Sequence, residues 1–237
     1  MRQAGRVVRE TLELVRSQVK PGATTLDLEL AAAARISELG AKPAFKGYHG
    51  YPCVLCTSVN HEVVHGIPSA KRVLKEGDIV SVDCGAFVEG YCGDSAITVA
   101  VGEKIDPDTA RLIRVTEASL QAAIKVVRPG ATLGDVGAAV QGVVEAEGFS
   151  VVRDFVGHGI GVHMHEDPQV PNYGEAGRGM KLRAGMVIAI EPMVNAGKPD
   201  VQVLADGWTA ITVDGSMSAH FEHTVAVTAT GARVLTE

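Results

Sequence analysis

The segment LKEGDIVSVD, residues 74–83, returns 108 residues later as LRAGMVIAIE, residues 182–191. Both copies run from a leucine through a basic residue and a glycine into an apolar, strand-like stretch that ends in a carboxylate. These two acids are Asp83 and Glu191. An unpaired carboxylate at the end of an apolar strand is costly to bury. Two such acids that converge across a pseudo-twofold axis therefore need a cation between them.

A second pair of segments has the same offset. Residues 19–40, VKPGATTLDLELAAAARISELG, match residues 127–148, VRPGATLGDVGAAVQGVVEAEG, at eight of 22 positions. Two matches at one offset are difficult to explain by chance, and they predict two copies of one helix–helix–strand unit. We expect the halves, about 1–105 and 106–237, to share one core and to form a single domain, because no low-complexity linker separates them.

The spacing of apolar residues predicts two helices in each half. The first helix of each pair ends before a Pro-Gly step, and the second begins at a threonine that is followed three residues later by an aspartate. Those pairs, Thr24 with Asp27 and Thr132 with Asp135, have the pattern of an N-terminal capping box. The predicted helices span residues 3–19, 24–40, 107–127 and 132–148.

Strand-like sequence follows each pair of helices. In the first half, Glu89-Gly90 is expected to join two strands in a hairpin. The predicted strands span residues 52–59, 79–86, 92–101, 150–156, 186–194, 201–204, 208–213 and 220–228. Helices and strands in this order indicate an α+β fold with two pseudo-twofold-related halves.

The composition restricts the classes of function. The chain has 237 residues, 46% of them hydrophobic and 21% charged, which is ordinary for a globular protein. A net charge of −6 without any run of lysine or arginine argues against a nucleic-acid-binding protein. The N-terminal segment lacks the apolar stretch of a signal peptide, and no segment approaches the roughly 20 apolar residues of a membrane span. We therefore expect a cytoplasmic protein.

Four cysteines lie in the first half: Cys53, Cys56, Cys84 and Cys92. The C-x-x-C pair at 53–56 is compatible with zinc or redox chemistry. The surrounding sequence reads as a strand, however, and the other two cysteines do not form a second close pair. Buried or half-buried free thiols are the interpretation that we favour.

Candidate metal ligands gather in a few short segments. All eight histidines fall within 49–65, 158–165 and 220–223. The predicted hairpin places the carboxylates of Asp83 and Asp94 on adjacent strands. His158 lies in a glycine-rich segment, Glu191 ends a strand, and Glu222 begins the last strong β segment. Each residue taken alone is as compatible with a turn, a cap or a solvent-exposed position, but together they indicate a metal site.

One apparent motif is rejected. Residues 61–65 read HEVVH, which matches the zinc-protease pattern H-E-x-x-H by letter. That chemistry needs a helix, so that both histidines share a face. Two β-branched valines followed by Gly-Ile-Pro predict a turn or an extended chain instead.

Seven segments, in this order, resemble the type I methionine aminopeptidases: GYHGYP (47–52), HGIP (65–68), VDCGAFVEGYCGD (82–94), GHGIG (157–161), HEDPQVPNYG (165–174), AIEPMV (189–194) and FEHT (221–224). The resemblance extends over essentially the whole chain, and it implies the pita-bread fold, in which helices lie outside a curved, mainly antiparallel sheet. The length of the chain fits the bacterial form.

The resemblance implies a function and a ligand set. The family removes the initiator methionine from nascent proteins when the second residue is small, through a water activated by two divalent ions. Mn, Fe or Co suit a carboxylate-rich site best, and Zn is possible. Glu191 also relays a proton, and His65 and His165 position the substrate and stabilise the oxyanion. The implied metal ligands are Asp83, Asp94, His158, Glu191 and Glu222, with Asp94 and Glu222 bridging the ions.

The resemblance also implies a pocket for the methionine side chain. Matching pocket positions are occupied by Tyr48, Tyr51, Cys56 and Trp208. Three residues depart from frequent choices in the family. Phe45 stands where a small cysteine is common, Met164 where an aromatic residue is common, and Val162 where an arginine is common.

Two alternatives remain open at this stage. One is a prolidase-like Xaa-Pro aminopeptidase, and the other is a catalytically silent pita-bread protein that only binds a partner. The resemblance further implies a monomer that acts on the N-termini of nascent polypeptides and associates transiently with the ribosome. We expect it to have no nucleic-acid binding of its own and no contact with a membrane.

Overall fold

The computed structural model describes all 237 residues, Met1–Glu237. The four helices are α1 (Arg2–Gln18), α2 (Thr25–Glu38), α3 (Pro107–Val126) and α4 (Leu133–Ala146). A short 3-10 turn covers Tyr48–Gly50. The strands are β1 (Lys42–Pro43), β2 (Leu55–Val59), β3 (Glu62–Val64), β4 (Ile79–Val88), β5 (Tyr91–Ala100), β6 (Ser150–Val151), β7 (Gly157–Gly159), β8 (Glu166–Val170), β9 (Val187–Ile190), β10 (Met193–Asn195), β11 (Val201–Val203), β12 (Ala210–Thr212), β13 (Ser218–His220), β14 (Glu222–Val227) and β15 (Ala232–Val234).

One nine-stranded antiparallel sheet runs through both halves of the molecule. Its strand order is β1-β4-β5-β14-β9-β7-β8, with β2 added beside β4 and β15 beside β14. The halves meet at the seam between β5 and β14, where only two residue pairs are in register, Glu222 with Ala96 and His223 with Ser95. Two small sheets, β13-β10-β6 and β11-β12-β3, complete the β structure.

The internal repeat of the sequence is a repeat of structure. Helices α2 and α4 begin 108 residues apart, at Thr25 and Leu133. In the first half the Leu74 amide donates to the Ala23 carbonyl, and 108 residues later the Leu182 amide donates to the Ala131 carbonyl, at 2.8 and 2.7 Å. The same backbone contact therefore joins the start of α2 to the segment before β4 and the start of α4 to the segment before β9.

Both predicted capping boxes form. The Thr24 amide donates to Asp27 Oδ2 at 2.7 Å, and the Asp27 amide donates to Thr24 Oγ1 at 3.1 Å. The equivalent bonds between Thr132 and Asp135 measure 2.7 and 3.2 Å. Each box satisfies amides that the first turn of a helix leaves without a partner, and so fixes where the helix starts.

Each half of the molecule has its own cluster of buried apolar side chains, packed between its helices and the sheet. Helices α1 and α2 contribute Val8, Leu12, Leu28 and Ile36 to the first cluster. Helices α3 and α4 contribute to the second cluster through Leu112, Leu120, Val136, Val140 and Val144. The side chains of one helix stripe and one sheet face are thereby removed from water, which is the main stabilising term for such a layer.

The predicted hairpin of the first half is confirmed, but several predicted strands of the second half are shorter than expected. The strand predicted at 150–156 covers only Ser150–Val151. The stretch 186–194 is interrupted between β9 and β10 at Glu191-Pro192, and 220–228 is interrupted at Phe221. The HEVVH segment is not a helix, because Glu62–Val64 form strand β3.

The cysteines are free thiols. Cys56, Cys84 and Cys92 are buried and Cys53 is half-buried, as expected. None of the four helices is both long and apolar enough to cross a membrane.

Candidate active site

The hairpin of β4 and β5 aims two carboxylates at one point. Asp83 lies opposite Ala96, and Asp94 lies opposite Gly85. Residues two positions apart on a strand share a face, so both aspartates point to the same side of the sheet. Both side chains line the same cavity.

The second half brings three more of the predicted ligands to the same face. Glu222 is paired with Ala96 across the seam, so that Glu222, Ala96 and Asp83 form one row over β14, β5 and β4. His158 lies on β7, in register with Ala189 of β9. Glu191 follows directly after β9.

The side chains converge as the sequence predicts. Ligand atoms of Asp94, His158 and Glu222 all lie within 4.8 Å of one another, and these three residues are buried. His158 Nε2 lies 3.6 Å from Glu191 Oε1. Asp83 and Glu191 line the same cavity as the other three. The five predicted ligands, four carboxylates and the His158 imidazole, thus line one cavity.

The tautomer of His158 follows from its backbone contact. Its Nδ1 lies 2.8 Å from the Gly159 carbonyl oxygen, which can only accept a hydrogen bond. Nδ1 therefore carries the proton, and the lone pair of Nε2 points to the carboxylates. Burial, with a smaller effect of the nearby His165, lowers the pKa of His158 to about 4. The ring is neutral at physiological pH, which is the form that binds metals.

The acids fit a site for cations. Asp83 Oδ1, Asp94 Oδ1 and Glu222 Oε1 are buried and have no hydrogen-bond partner in the protein. Burial raises the pKa of Asp83 to about 7. Burial and the neighbouring carboxylates raise the pKa values of Asp94, Glu191 and Glu222 far above the usual range. Divalent ions would supply both the missing partners and the missing charge.

Two further histidines flank the acids. His65 directly follows β3, with a backbone φ of 60°, and its ring packs edge-on against Phe155 at 5.4 Å between centroids. His165 lies at the mouth of the cavity, and its ring centroid is 4.2 Å from that of His158. Burial lowers the pKa values of both, that of His65 to about 4. Both rings are thus neutral hydrogen-bonding groups near neutral pH.

An apolar wall closes one side of the cavity. The residues predicted for this wall that line it are Phe45, Tyr51, Cys56, Met164 and Trp208. Cys56 lies directly opposite Asp83 in the pairing of β2 with β4. The rings of Tyr51 and Trp208 meet edge-to-face at 5.1 Å. An apolar pocket therefore adjoins the carboxylate cluster.

Tyr48, also predicted for the pocket, packs against the apolar cluster that contains Phe45, Tyr51, Cys56 and Met164, but it does not line the cavity itself. Its hydroxyl lies 2.8 Å from His165 Nδ1, so it contacts a histidine at the mouth. Because Tyr48 lies in a 3-10 turn and not in a strand, its position relative to the pocket cannot be deduced from strand alternation.

Sequence reasoning left two residues of this region without a role. His220 is buried, and its Nε2 lies 3.8 Å from Glu191 Oε2. His220 lies two residues before Glu222, and residues at this spacing lie on the same side of an extended chain, so the sequence could have indicated that His220 is near the cluster. Phe155 packs on His65, but the sequence contained no signal for this contact, because Phe155 lies in a stretch predicted as an ordinary strand.

The comparisons with known proteins show the family of this chain. The model of metallopeptidase family M24 matches residues 1–229. A methionine aminopeptidase of Clostridium acetobutylicum is 52% identical over 236 residues, which cover 100% of this chain and 94% of the relative. The crystal structure of a methionine aminopeptidase from Thermotoga maritima has a TM-score of 0.98 at 53% identity and matches 100% of this chain and 95% of that one.

A more distant structure confirms the fold alone. The prolidase of Pyrococcus horikoshii has a TM-score of 0.79 at 22% identity, with 100% of this chain and 60% of that chain covered. The pita-bread architecture predicted from the sequence is thereby confirmed. At this level of identity, the likeness carries no conclusion on activity.

Proposed function

The chain belongs to metallopeptidase family M24, and we infer from this membership that it is a methionine aminopeptidase, which hydrolyses the peptide bond after an N-terminal methionine. The observation that carries this conclusion is the convergence of four carboxylates and His158 in one cavity beside an apolar pocket. The enzyme depends on divalent metal.

We propose that the site holds two ions. The proposed ligands are those predicted above: Asp83, Asp94, His158, Glu191 and Glu222. Mn, Fe or Co match this oxygen-rich set better than the thiolate and imidazole set of a structural zinc, although Zn is compatible. Such a centre supplies Lewis acidity and lowers the pKa of a water molecule towards neutrality.

The protein's own groups then direct the reaction. Glu191 lies at the edge of the cluster, where its carboxylate, once ionised beside the divalent ions, would accept a proton and pass it to the leaving amine. His65 and His165 are neutral and can hydrogen-bond the substrate carbonyl as its oxygen becomes negative. The carboxylates that hold the cluster also attract the free α-amino group of the substrate.

The apolar wall is the proposed pocket for methionine. Aromatic rings and the Cys56 thiol suit an unbranched thioether. The site beyond the scissile bond lies between His65 and His165 and leaves room for a small second residue. Phe45 and Met164, both on the wall, would give this pocket a shape of its own within the family.

The N-termini of nascent chains are the partners of such an enzyme, and transient contact with the ribosome follows as a proposal. Because initiator methionine is present where proteins are made, we propose that the enzyme works in the cytoplasm as a monomer. We also propose one catalytic domain, since ligands from both halves, 1–105 and 106–237, line one cavity.

A peptide series tests this function. After chelation, added Mn, Co or Fe should restore cleavage of Met-Ala-Ser, whereas Met-Leu-Ser should be cleaved at least about tenfold less efficiently, because overpacking an ordered site costs on the order of 1–3 kcal/mol. N-acetylated peptides should be inert. Equal kcat/KM for Met-Ala-Ser and Met-Lys-Ser would indicate a general aminopeptidase, and preference for Ala-Pro substrates would indicate a prolidase.

A further inference from the structure

A buried glutamate outside the cavity holds the wall of the proposed methionine pocket. Glu29 lies on α2, its residue is only 8% exposed, and it takes part in none of the ion pairs of the protein. Its Oε1 accepts the Val54 amide at 2.8 Å, and its Oε2 accepts the Leu55 amide at 2.9 Å. A buried acid without a cation is tolerated because both oxygens are hydrogen-bonded.

The hydrogen bonds continue from Glu29 to the pocket. Leu55 is the first residue of β2, and its carbonyl oxygen lies 2.9 Å from the Tyr51 hydroxyl. The same hydroxyl lies 3.1 Å from the Gly66 carbonyl oxygen, next to His65. Glu29 therefore holds the N–H group of Leu55, and Tyr51 holds the C=O group of the same residue, so that both peptide units of Leu55 are fixed.

The segment held in this way carries pocket residues at both of its ends. Tyr51 precedes it, and Cys56 follows it, directly opposite Asp83. A shift of the Val54–Leu55 backbone would move the aromatic ring, the thiol, or both. The pocket wall is thus positioned from α2, on the other side of the strand.

The second half has no counterpart of this clamp. The residue 108 positions after Glu29 is Gly137 of α4, and a Cβ added there would come within 2.2 Å of the Tyr173 carbonyl oxygen. The backbone of Tyr173 therefore packs directly against α4 at Gly137. The glutamate occurs only in the half whose helix lies behind the pocket wall.

We propose that Glu29 is a positioning residue that sets the affinity and side-chain selectivity of the methionine pocket, an inference that rests on the proposed function. Only a carboxylate of this length offers two acceptors to two adjacent amides. A glutamine has one acceptor oxygen, and its NH2 group would face a backbone N–H. A hydrogen bond to a charged group would be lost without a change in volume.

The test is Glu29→Gln with three readouts. The KM for Met-Ala-Ser should rise about tenfold while kcat stays within about twofold, because the carboxylate cluster is untouched. Bound metal should be unchanged. Trp208 is the only tryptophan of the chain and packs on Tyr51, so its emission and its quenching by acrylamide should shift in the folded variant.

A matched control separates positioning from general stability. Asp27→Ala removes the side-chain acceptor of the Thr24 amide in the capping box at the start of the same helix and should lower the melting temperature, but leave KM and the Trp208 emission unchanged. The proposal is overturned if folded Glu29→Gln keeps the wild-type KM and emission, or if KM and kcat change only in parallel with a lowered melting temperature.

A second variant decides the matter if Glu29→Gln does not fold. Tyr51→Phe removes the hydroxyl at the other end of the same hydrogen-bond path, and it should also raise KM for Met-Ala-Ser with kcat nearly constant. An unchanged KM in Tyr51→Phe would overturn the proposal. Failure of the wild-type protein to cleave Met-Ala-Ser with added metal would instead reject the proposed function, whereas the Trp208 measurement would still test the clamp.

Discussion

The first half reaches the site with one long hairpin, whereas the second half reaches it with short strands that break beside their ligands. Strands β4 and β5 pair over ten positions without a shift of register. Glu191 lies in the break between β9 and β10, His158 lies at a register shift between β7 and β8, and Glu222 is the first residue of β14.

This difference shows what each kind of backbone can position. A regular hairpin places like side chains at a fixed spacing on one face, which suits two carboxylates. Bulges and strand breaks turn individual side chains away from the pleat. Donors of different length and direction, such as an imidazole and two glutamates, require such irregular backbone. The two copies have kept their helix caps and diverged where the ligands lie.

The view that both halves contribute essential ligands would be wrong if the carboxylates of either half could be removed without loss of activity. Asp94→Ala, from the regular half, and Glu222→Ala, from the irregular half, should each lower kcat/KM of the metal-loaded enzyme on the order of 1000-fold, since several kcal/mol of transition-state stabilisation depend on the cluster. Asp83→Ala should be milder, because Asp94 and Glu222 are the proposed bridging ligands. Metal analysis and peptidase assays with Glu117→Ala, an exposed acid, as control would check this.

A smaller effect is expected for the flanking histidines, one from each half. His65→Ala and His165→Ala should lower kcat about 100-fold, the typical value of a positioned acid, base or oxyanion donor. Metal content should stay at the wild-type level, as in the control His163→Ala, an exposed histidine of the same loop. Loss of bound metal from His165→Ala would contradict the assigned role.

The chelated protein should lose stability as the pH rises. Burial raises the pKa of Asp83 to about 7, and burial together with the neighbouring carboxylates raises the pKa values of Asp94, Glu191 and Glu222 well above the usual range, so that the folded protein binds more protons at these carboxyls than the unfolded chain does. Acids with raised pKa values stabilise the fold at low pH and lose that contribution as the pH rises through the folded pKa.

The window above about pH 7 isolates the acids. The pKa values of His65 and His158 are lowered to about 4, so these rings are neutral there in both states. Between about pH 7 and about pH 8, below the usual titration range of the thiols, carboxyls that are still protonated in the folded protein release their protons on unfolding, so the unfolding free energy should fall as the pH rises. Urea titrations at both pH values measure this loss. The metal-loaded protein should be nearly insensitive, and an equally pH-independent chelated protein would contradict the raised pKa values.

The smallest expected effect is the loss of one capping box, and it should be equal in the two halves. Thr24→Ala and Thr132→Ala each remove the side-chain acceptor of one capping box, at a cost of about 1 kcal/mol in unfolding free energy. Thermal melts of the two variants, with Ser17→Ala as an exposed control, would measure it. A much larger loss for one variant would show that the two helix starts are not energetically equivalent.

The parts of the fold that could be predicted are those with a local physical signature. The four helices follow from apolar spacing and from caps at Thr24 and Thr132, and the β4–β5 hairpin follows from two apolar runs joined at Glu89-Gly90. Strands of two or three residues, such as β1, β6 and β7, are too short to show alternation. Their existence depends on partners distant in the chain, which no local pattern reveals.

The site was predictable to a similar extent. The shared offset of Asp83 and Glu191 and the hairpin placement of Asp94 led to one cluster, and the structure brings these side chains together. The positions of Tyr48 and Phe155 could not be deduced from strand alternation, because Tyr48 lies in a 3-10 turn and Phe155 lies in an irregular segment. Glu29 could not be singled out either, since a glutamate in a helix is usually exposed and its amide partners lie 25 and 26 residues away.

The narrow seam between β5 and β14 has a consequence for the synthesis of the enzyme itself. The Thr224 hydroxyl that bonds the Asp94 carbonyl oxygen is 130 residues further along the chain. At about 5–20 residues per second, the first half leaves the ribosome roughly ten seconds before its partner strand. During that interval β5 presents an open edge, which is a template for wrong pairing. An enzyme that processes newly made chains is therefore itself synthesised through a stage in which β5 has no partner strand. Slow elongation should lengthen this stage and lower the yield of soluble protein.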